Sequence, residues 1–287
     1  MVLATLFWSG AFVGAKYAIG QFPPFSLTFF RFLVALPCIF LLLRWRQPLT
    51  WRPRRDQWPA LLMLGFFGAF LYHAFFFSSL RYTTAINSSL IGSSLPIVTA
   101  VVAALFFGER VSGRQALGIF LSFIGVCLTI TGGTLATVST LVFNRGDLLM
   151  LLAVLVWAYY MAASRKTMPR LGITPLSLTA YSFLMCVAAS FPLVFFEDPA
   201  RYLPQTTWQG WAAILYMALL SSVVGYLVQM IAIDRLGTAR AAIFVNLVPL
   251  FTIAQAAWLL GEPVTVVKLV SAALIISGVL IAMRPAR

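Results

Sequence analysis

Long apolar runs, each closed by proline, glycine or a knot of charge, follow one another along almost the whole chain. A helix needs about 20 apolar residues to cross a bilayer. The runs therefore predict spanning helices near 2–20, 24–43, 57–80, 84–107, 113–131, 147–165, 174–196, 208–233, 239–260 and 264–283. The gaps between them are short and leave no room for a soluble domain. The first run starts almost at Met1 without a basic leader or a convincing cleavage site, so it is expected to be the first span and not a removable signal.

Composition agrees with this pattern. Of 287 residues, 61% are hydrophobic and 9% charged, against about a quarter charged in soluble domains. A net charge of +13 would suggest nucleic acid in a soluble protein. Here the basic residues sit between apolar runs, where they act as topology signals facing anionic lipid. No nucleic-acid partner is expected; the bilayer is. If the connections alternate sides, one side receives Arg44, Arg46, Arg52, Arg54, Arg55, Arg110, Arg114, Arg165, Lys166, Arg170, Arg235, Arg240, Arg284 and Arg287. The other receives Arg81, Arg145, Arg201 and Lys268 with Asp147, Glu197, Asp198 and Glu262. That asymmetry predicts both termini in the cytoplasm. Cys38, Cys127 and Cys186 lie inside apolar runs and match no disulfide or metal spacing, so they are expected to pack as small apolar residues.

The chain also repeats itself. Pro96, Thr99, Ala103, Ala104, Gly108, Glu109 and Val111 fall at a constant offset on Pro249, Thr252, Ala256, Ala257, Gly261, Glu262 and Val264. Upstream, Met63, Tyr72, Arg81, Thr84 and Ala85 fall on Met217, Tyr226, Arg235, Thr238 and Ala239. Pro24, Ser26, Leu27 and Thr28 fall on Pro175, Ser177, Leu178 and Thr179, and Trp8 lands near Trp157. Two copies of five spans, 1–135 and 145–287, are predicted. An odd number of spans inserts the second copy upside down, with a pseudo-two-fold axis in the membrane plane. The expected fold is an all-α membrane protein of ten transmembrane helices in two inverted five-helix repeats, with Glu109 cytoplasmic and Glu262 external. One chain supplies both halves, so a monomer suffices.

The segment SLRYTTA, then Pro96, then Gly108 and Glu109, answered in the second copy by RLGTARAA, Pro249, Gly261 and Glu262, resembles the EamA domain of the drug/metabolite transporter superfamily over nearly the whole chain. The WSGAFVGAKYA start and the aromatic-rich interior are similar to bacterial amino-acid exporters of the YddG type. The resemblance implies a multi-pass protein of the bacterial inner membrane that exports aromatic and other neutral amino acids by alternating access. The alternative is a multidrug, hydrophobic-cation or other metabolite exporter of the same superfamily.

Candidate substrate-binding residues follow from depth and symmetry. His73, the single histidine, lies near the middle of the third run beside Tyr72, and an ionisable group there is a functional candidate. A neutral imidazole bonded to a neighbouring helix explains it equally well. Trp157 lies deep in its run and is expected to line a cavity, whereas Trp8 is divided between that role and interfacial anchoring. Tyr72 and Tyr226 are symmetry partners that either face the cavity or pack between helices. Ser93 and Asn246 precede Pro96 and Pro249, where a proline inside a helix frees a carbonyl; they bind substrate or simply satisfy that backbone. Arg31, opposite Ser182 in the second copy, either attracts a carboxylate or snorkels outward to a loop acid, the snorkel being favoured; Lys16 is expected to snorkel. Gly10 and Gly14 permit close helix contact.

All seven acidic residues fall in connections or at helix ends, and no phosphate-binding loop occurs. Movement down a gradient is expected, with any proton coupling resting on His73, and no cofactor, metal or catalytic centre. An intramembrane enzyme lacks a paired nucleophile and base, and a receptor or scaffold needs no inverted repeat.

Overall fold

The computed structural model describes residues 1–108, 112–133, 144–236 and 244–283, and no strand occurs among them. The helices are α1 Val2–Ala18, α2 Pro24–Arg46, α3 Trp58–Gly65, α4 Tyr72–Leu80, α5 Ala85–Ser93, α6 Leu95–Phe107, α7 Gly113–Thr131, α8 Arg145–Leu171, α9 Pro175–Phe196, α10 Trp208–Leu215, α11 Gly225–Leu236, α12 Leu247–Leu260 and α13 Val266–Met283. Two rods contain a wide π-helical stretch. Phe66–Leu71 joins α3 to α4, and Tyr216–Val224 joins α10 to α11. Among the described residues six helical rods are long and apolar enough to cross a membrane; α5 and α6 reach that length only as a pair bent by 44° at Ser94, and α1, α12 and α13 are shorter apolar helices.

Local chemistry sets the ends. Pro24 and Pro175 occupy the first helical position, where a missing N–H costs nothing. Thr84 and Thr174 accept from the backbone N–H of Asn87 and Ser177, and Gly172 (φ 64°) and Gly261 (φ 65°) end α8 and α12 in the left-handed conformation. Carboxylates from distant segments complete two of these caps. Glu197 accepts from Phe25 N at 3.1 Å, Ser26 N at 2.7 Å and Ser26 Oγ at 2.7 Å. Glu262 accepts from Ala85 N at 2.7 Å and Ile86 N at 3.0 Å. A negative charge there complements the helix dipole. Glu262→Ala should therefore lower stability by about 1–2 kcal/mol, and Glu262→Gln by less, as read by thermal unfolding in detergent; equal melting temperatures for all three proteins would refute the cap.

The rods pack as α7 on α13, α2 on α9, α1 on α12, and α8 on both α4 and α6. At the α7–α13 contact the backbones nearly touch. A Cβ on Gly278 would lie 2.6 Å from Gly118 O, and one on Gly125 would lie 3.0 Å from Ser271 O, while Ser122 Oγ donates to Ile275 O at 3.1 Å. On α1, Gly10 lies under Tyr216 and Gly14 against Met217, so this glycine pair serves close helix approach.

Two expectations change. The sixth run continues through Arg165, Lys166 and Pro169 to Leu171, because charge adds no cost once a helix has left the apolar layer. Pro96 does not interrupt a helix; it sits in the first turn of α6 after the break at Ser94. Ser93 and Ser94 donate to Leu90 O and Ile91 O at 2.7 Å each, so serine hydroxyls satisfy the carbonyls around that break. Glu109, Arg110, Arg240, Arg284 and Arg287 lie outside the described residues.

Candidate functional site

The π-helical stretch Phe66–Leu71 leads into Tyr72, which faces α8, and His73, which faces α2. Such widened turns re-aim side chains and are frequent at functional sites. Here an aromatic cluster forms. The Trp157 ring on α8 lies 4.6 Å from Tyr72 and 5.1 Å from Tyr160. Tyr72 meets His73 edge-on at 4.7 Å, and His73 meets Phe32 of α2 at 4.6 Å. Tyr160 is seated because residue 68 is glycine; even a methyl there would overlap its ring.

His73 is 8% exposed, and its Nδ1 is 2.7 Å from Ala69 O, a carbonyl of its own helix. A carbonyl can only accept, so Nδ1 carries the proton and Nε2 is the ring nitrogen left for other chemistry. The expected bond to a neighbouring helix is therefore a bond within the same rod.

Arg31 is 7% exposed and does not snorkel. It points into the bundle, donating from Nε and Nη2 to Ser222 Oγ at 3.3 and 3.1 Å. Its Cζ is 5.5 Å from the Phe32 centroid and 5.8 Å from that of Phe77. Ser222 belongs to the second π-helical stretch, so both such stretches supply this region.

The remaining candidates are distributed around it. Trp8 donates from Nε1 to Ser221 O at 3.1 Å, and its indole lies so close to α11 that a Cβ at Gly225 would stand 2.7 Å from Nε1. It neighbours the Arg31–Ser222 pair through Ser221 and is not an interfacial anchor hydrogen-bonded to solvent. Tyr226 packs, like Tyr159 and Tyr160, against the apolar cluster around Tyr181, and its hydroxyl is buried. Ser93 is occupied by Leu90 O, whereas Asn246, at the start of α12, has its side-chain amide nitrogen buried and unpartnered. Arg31, His73, Tyr72 and Trp157 thus come together, Trp8 and Tyr226 flank them, and Ser93 and Asn246 belong to the helix breaks. Sequence reasoning missed Tyr160 and Ser222. Tyr160 was signalled by its i+3 spacing from Trp157; Ser222 had no local signal.

One end of the bundle holds a polar cluster. Lys16 does not snorkel either: Nζ donates to Leu80 O and Thr83 O at 2.6 Å each and so caps α4. Asp147, expected in a connection, lies buried in the first turn of α8, accepting from Thr83 Oγ1 and, at 3.4 Å, from Asn87 Nδ2. A groove of about 400 Å³ between α6, α7 and α8 is lined by apolar groups such as Ile97, Val101, Phe123 and Leu155, and offers little to orient a polar solute.

This all-helical arrangement, with buried polar groups gathered among spanning rods, is that of a membrane transporter. The chain belongs to the EamA-like transporter family, whose model matches residues 1–131 and again 144–284, and it is a multi-pass protein of the inner membrane. Among its relatives, the uncharacterized transporter YyaM of Bacillus subtilis is 32% identical over 278 residues, covering 97% of this chain and 90% of the relative. A probable amino-acid metabolite efflux pump of Escherichia coli is 29% identical over 288 residues, covering 98% and 92%. A solved crystal structure matches with a TM-score of 0.67 at 21% identity over 97% of this chain and 94% of that one, a likeness of fold.

Proposed function

We propose that this protein exports neutral amino acids, aromatic ones included, by alternating access around the Trp157–Tyr72–His73 cluster. The observation that carries the reading is the half-buried Trp157, packed at a tilt between Tyr72 and Tyr160 beside a buried histidine and a buried arginine. Aromatic faces offer a solute many modest contacts, which suits both binding and release. Relatives named as amino-acid metabolite efflux pumps lend support.

The architecture for that cycle is ten spans in two inverted halves, 1–135 and 145–287, with both termini cytoplasmic. Its support is the double family match and the exchange of helix pairs. Under the repeat, α1 on α12 is the counterpart of α6 on α8, while α2 with α9 and α7 with α13 are self-paired. Both third-position rods carry a π-helical stretch. Near-equivalent halves can exchange conformations and so open one site to either face.

The test is counterflow in liposomes holding the purified monomer, with labelled L-phenylalanine, L-threonine and tetraphenylphosphonium. Saturable counterflow of the amino acids above empty liposomes is expected. Saturation by the organic cation alone would replace the reading with a cation exporter.

A further inference from the structure

We infer that Arg31 is the anchor for a substrate carboxylate, so that the central site takes solutes bearing a carboxylate and turns organic cations away. The inference rests on the transport reading above, but not on the solute being an amino acid.

A guanidinium stays charged at any physiological pH and carries five N–H donors. Placing such a charge within a spanning bundle is costly, and a buried charge normally has a counter-charge. Arg54 pairs with Asp56 where both side chains are exposed; Arg31, buried, has no carboxylate partner among the described residues. Its hydrogen bonds are the two to Ser222 Oγ. The Phe32 and Phe77 rings supply cation–π attraction, which is weaker than a charge pair.

The local geometry is that of a held fork. Ser222 Oγ donates its proton to Met217 O at 3.0 Å, so its lone pairs are left to accept from Arg31. That fixes one edge of the guanidinium and leaves the Nη1 side without a bond among the described residues. A planar fork held on one edge suits a bidentate carboxylate on another, in a setting where charge-assisted hydrogen bonds are strongest. His73 packs on the same Phe32 and Phe77 rings as Arg31 and, through Tyr72, links it to the Trp157 cluster. A solute anchored by its carboxylate would thus lay its side chain toward the aromatic rings.

Architecture alone does not demand the charge. The second half places Ser182 at the corresponding position, and the same fold closes around that residue. The fixed positive charge also sets a sign. A cation brought to the Tyr72 and Trp157 faces would meet repulsion that an anion or zwitterion would not.

The experiment uses the full chain in nanodiscs, with binding read by tryptophan fluorescence and three probes of one ring size. These are L-phenylalanine, phenylacetate with the carboxylate alone, and phenethylamine with the ammonium alone. Wild type should bind the first two, and Arg31→Gln should weaken both by about tenfold or more while letting phenethylamine bind more tightly than to wild type. Arg31→Lys, which keeps charge but not the fork, should lose less. Ser222→Ala should lose a few-fold. Phenylacetate binding that depends on Arg31, without phenylalanine binding, would sink the amino-acid reading and keep the anchor. Wild-type phenylalanine affinity in folded Arg31→Gln or Arg31→Lys would overturn the anchor and keep that reading. Phenethylamine bound best by wild type, or no probe bound by folded wild type, would overturn both.

Discussion

Trp157→Ala should cut saturable L-phenylalanine transport at least about tenfold, chiefly by raising KM. Tenfold corresponds to about 1.4 kcal/mol, and one aromatic contact is worth about 0.5–1.5 kcal/mol beyond buried area, so the loss of the indole face to the substrate accounts for it. The same substitution removes the contacts to Tyr72 and Tyr160 and so costs stability as well. Two controls separate these effects. Trp157→Phe keeps most of the packing and should recover much of the transport. Flux of L-threonine, which has no ring to stack, should fall less than that of phenylalanine. A folded Trp157→Ala protein with an unchanged KM for phenylalanine would remove Trp157 from the site.

The second large effect concerns stability. Gly118→Leu should lower the melting temperature by on the order of 5 °C or more, or abolish monodisperse protein. Its Cβ would run into Gly278 O and stand 2.8 Å from Ala282 Cβ and 3.1 Å from Ala282 N. Two of those three neighbours are backbone, so relief requires α7 and α13 to separate, and overpacking of that kind costs about 1–3 kcal/mol or more. Gly113→Ala on the same helix is the control, since a Cβ there meets nothing within 4 Å. Fluorescence-detected size exclusion after heating measures both, and equal melting temperatures would show that the two helices have room to spare.

These two sites differ in how far they could be foreseen. Trp157 stood out by its depth in an apolar run and its match to Trp8. The α7–α13 glycines were harder to single out: Gly125 and Gly278 fall on each other at the same offset as Pro96 and Pro249, but Gly118 has no such partner and glycine is common in membrane helices generally. Likewise Glu262 was legible as a conserved position of the internal repeat, yet its work as a cap for α5, across 177 residues of chain, was not. Arg31 and Lys16 were both misjudged in the same direction. Long cationic side chains near helix ends usually reach for water, but each of these found oxygen inside the bundle, Arg31 on Ser222 and Lys16 on Leu80 and Thr83.

By itself the sequence determined that the chain lives in a membrane, roughly where its helices run, that its two halves are related, and which family it belongs to. Each of these rests on a local or additive property: the length of an apolar run, the spacing of proline and glycine, an offset between two strings. The tertiary structure alone decided which residues meet. It turned Arg31 inward to a serine 191 positions away, set Tyr160 over Gly68, broke the helix at Ser94 and widened the turns ahead of Tyr72 and Gly225. The physical reason is that lipid tails are as apolar as leucine. In a soluble helix a polar face marks the outside; here both faces read alike, so the rotation of each helix about its axis becomes visible only once its neighbours are in place.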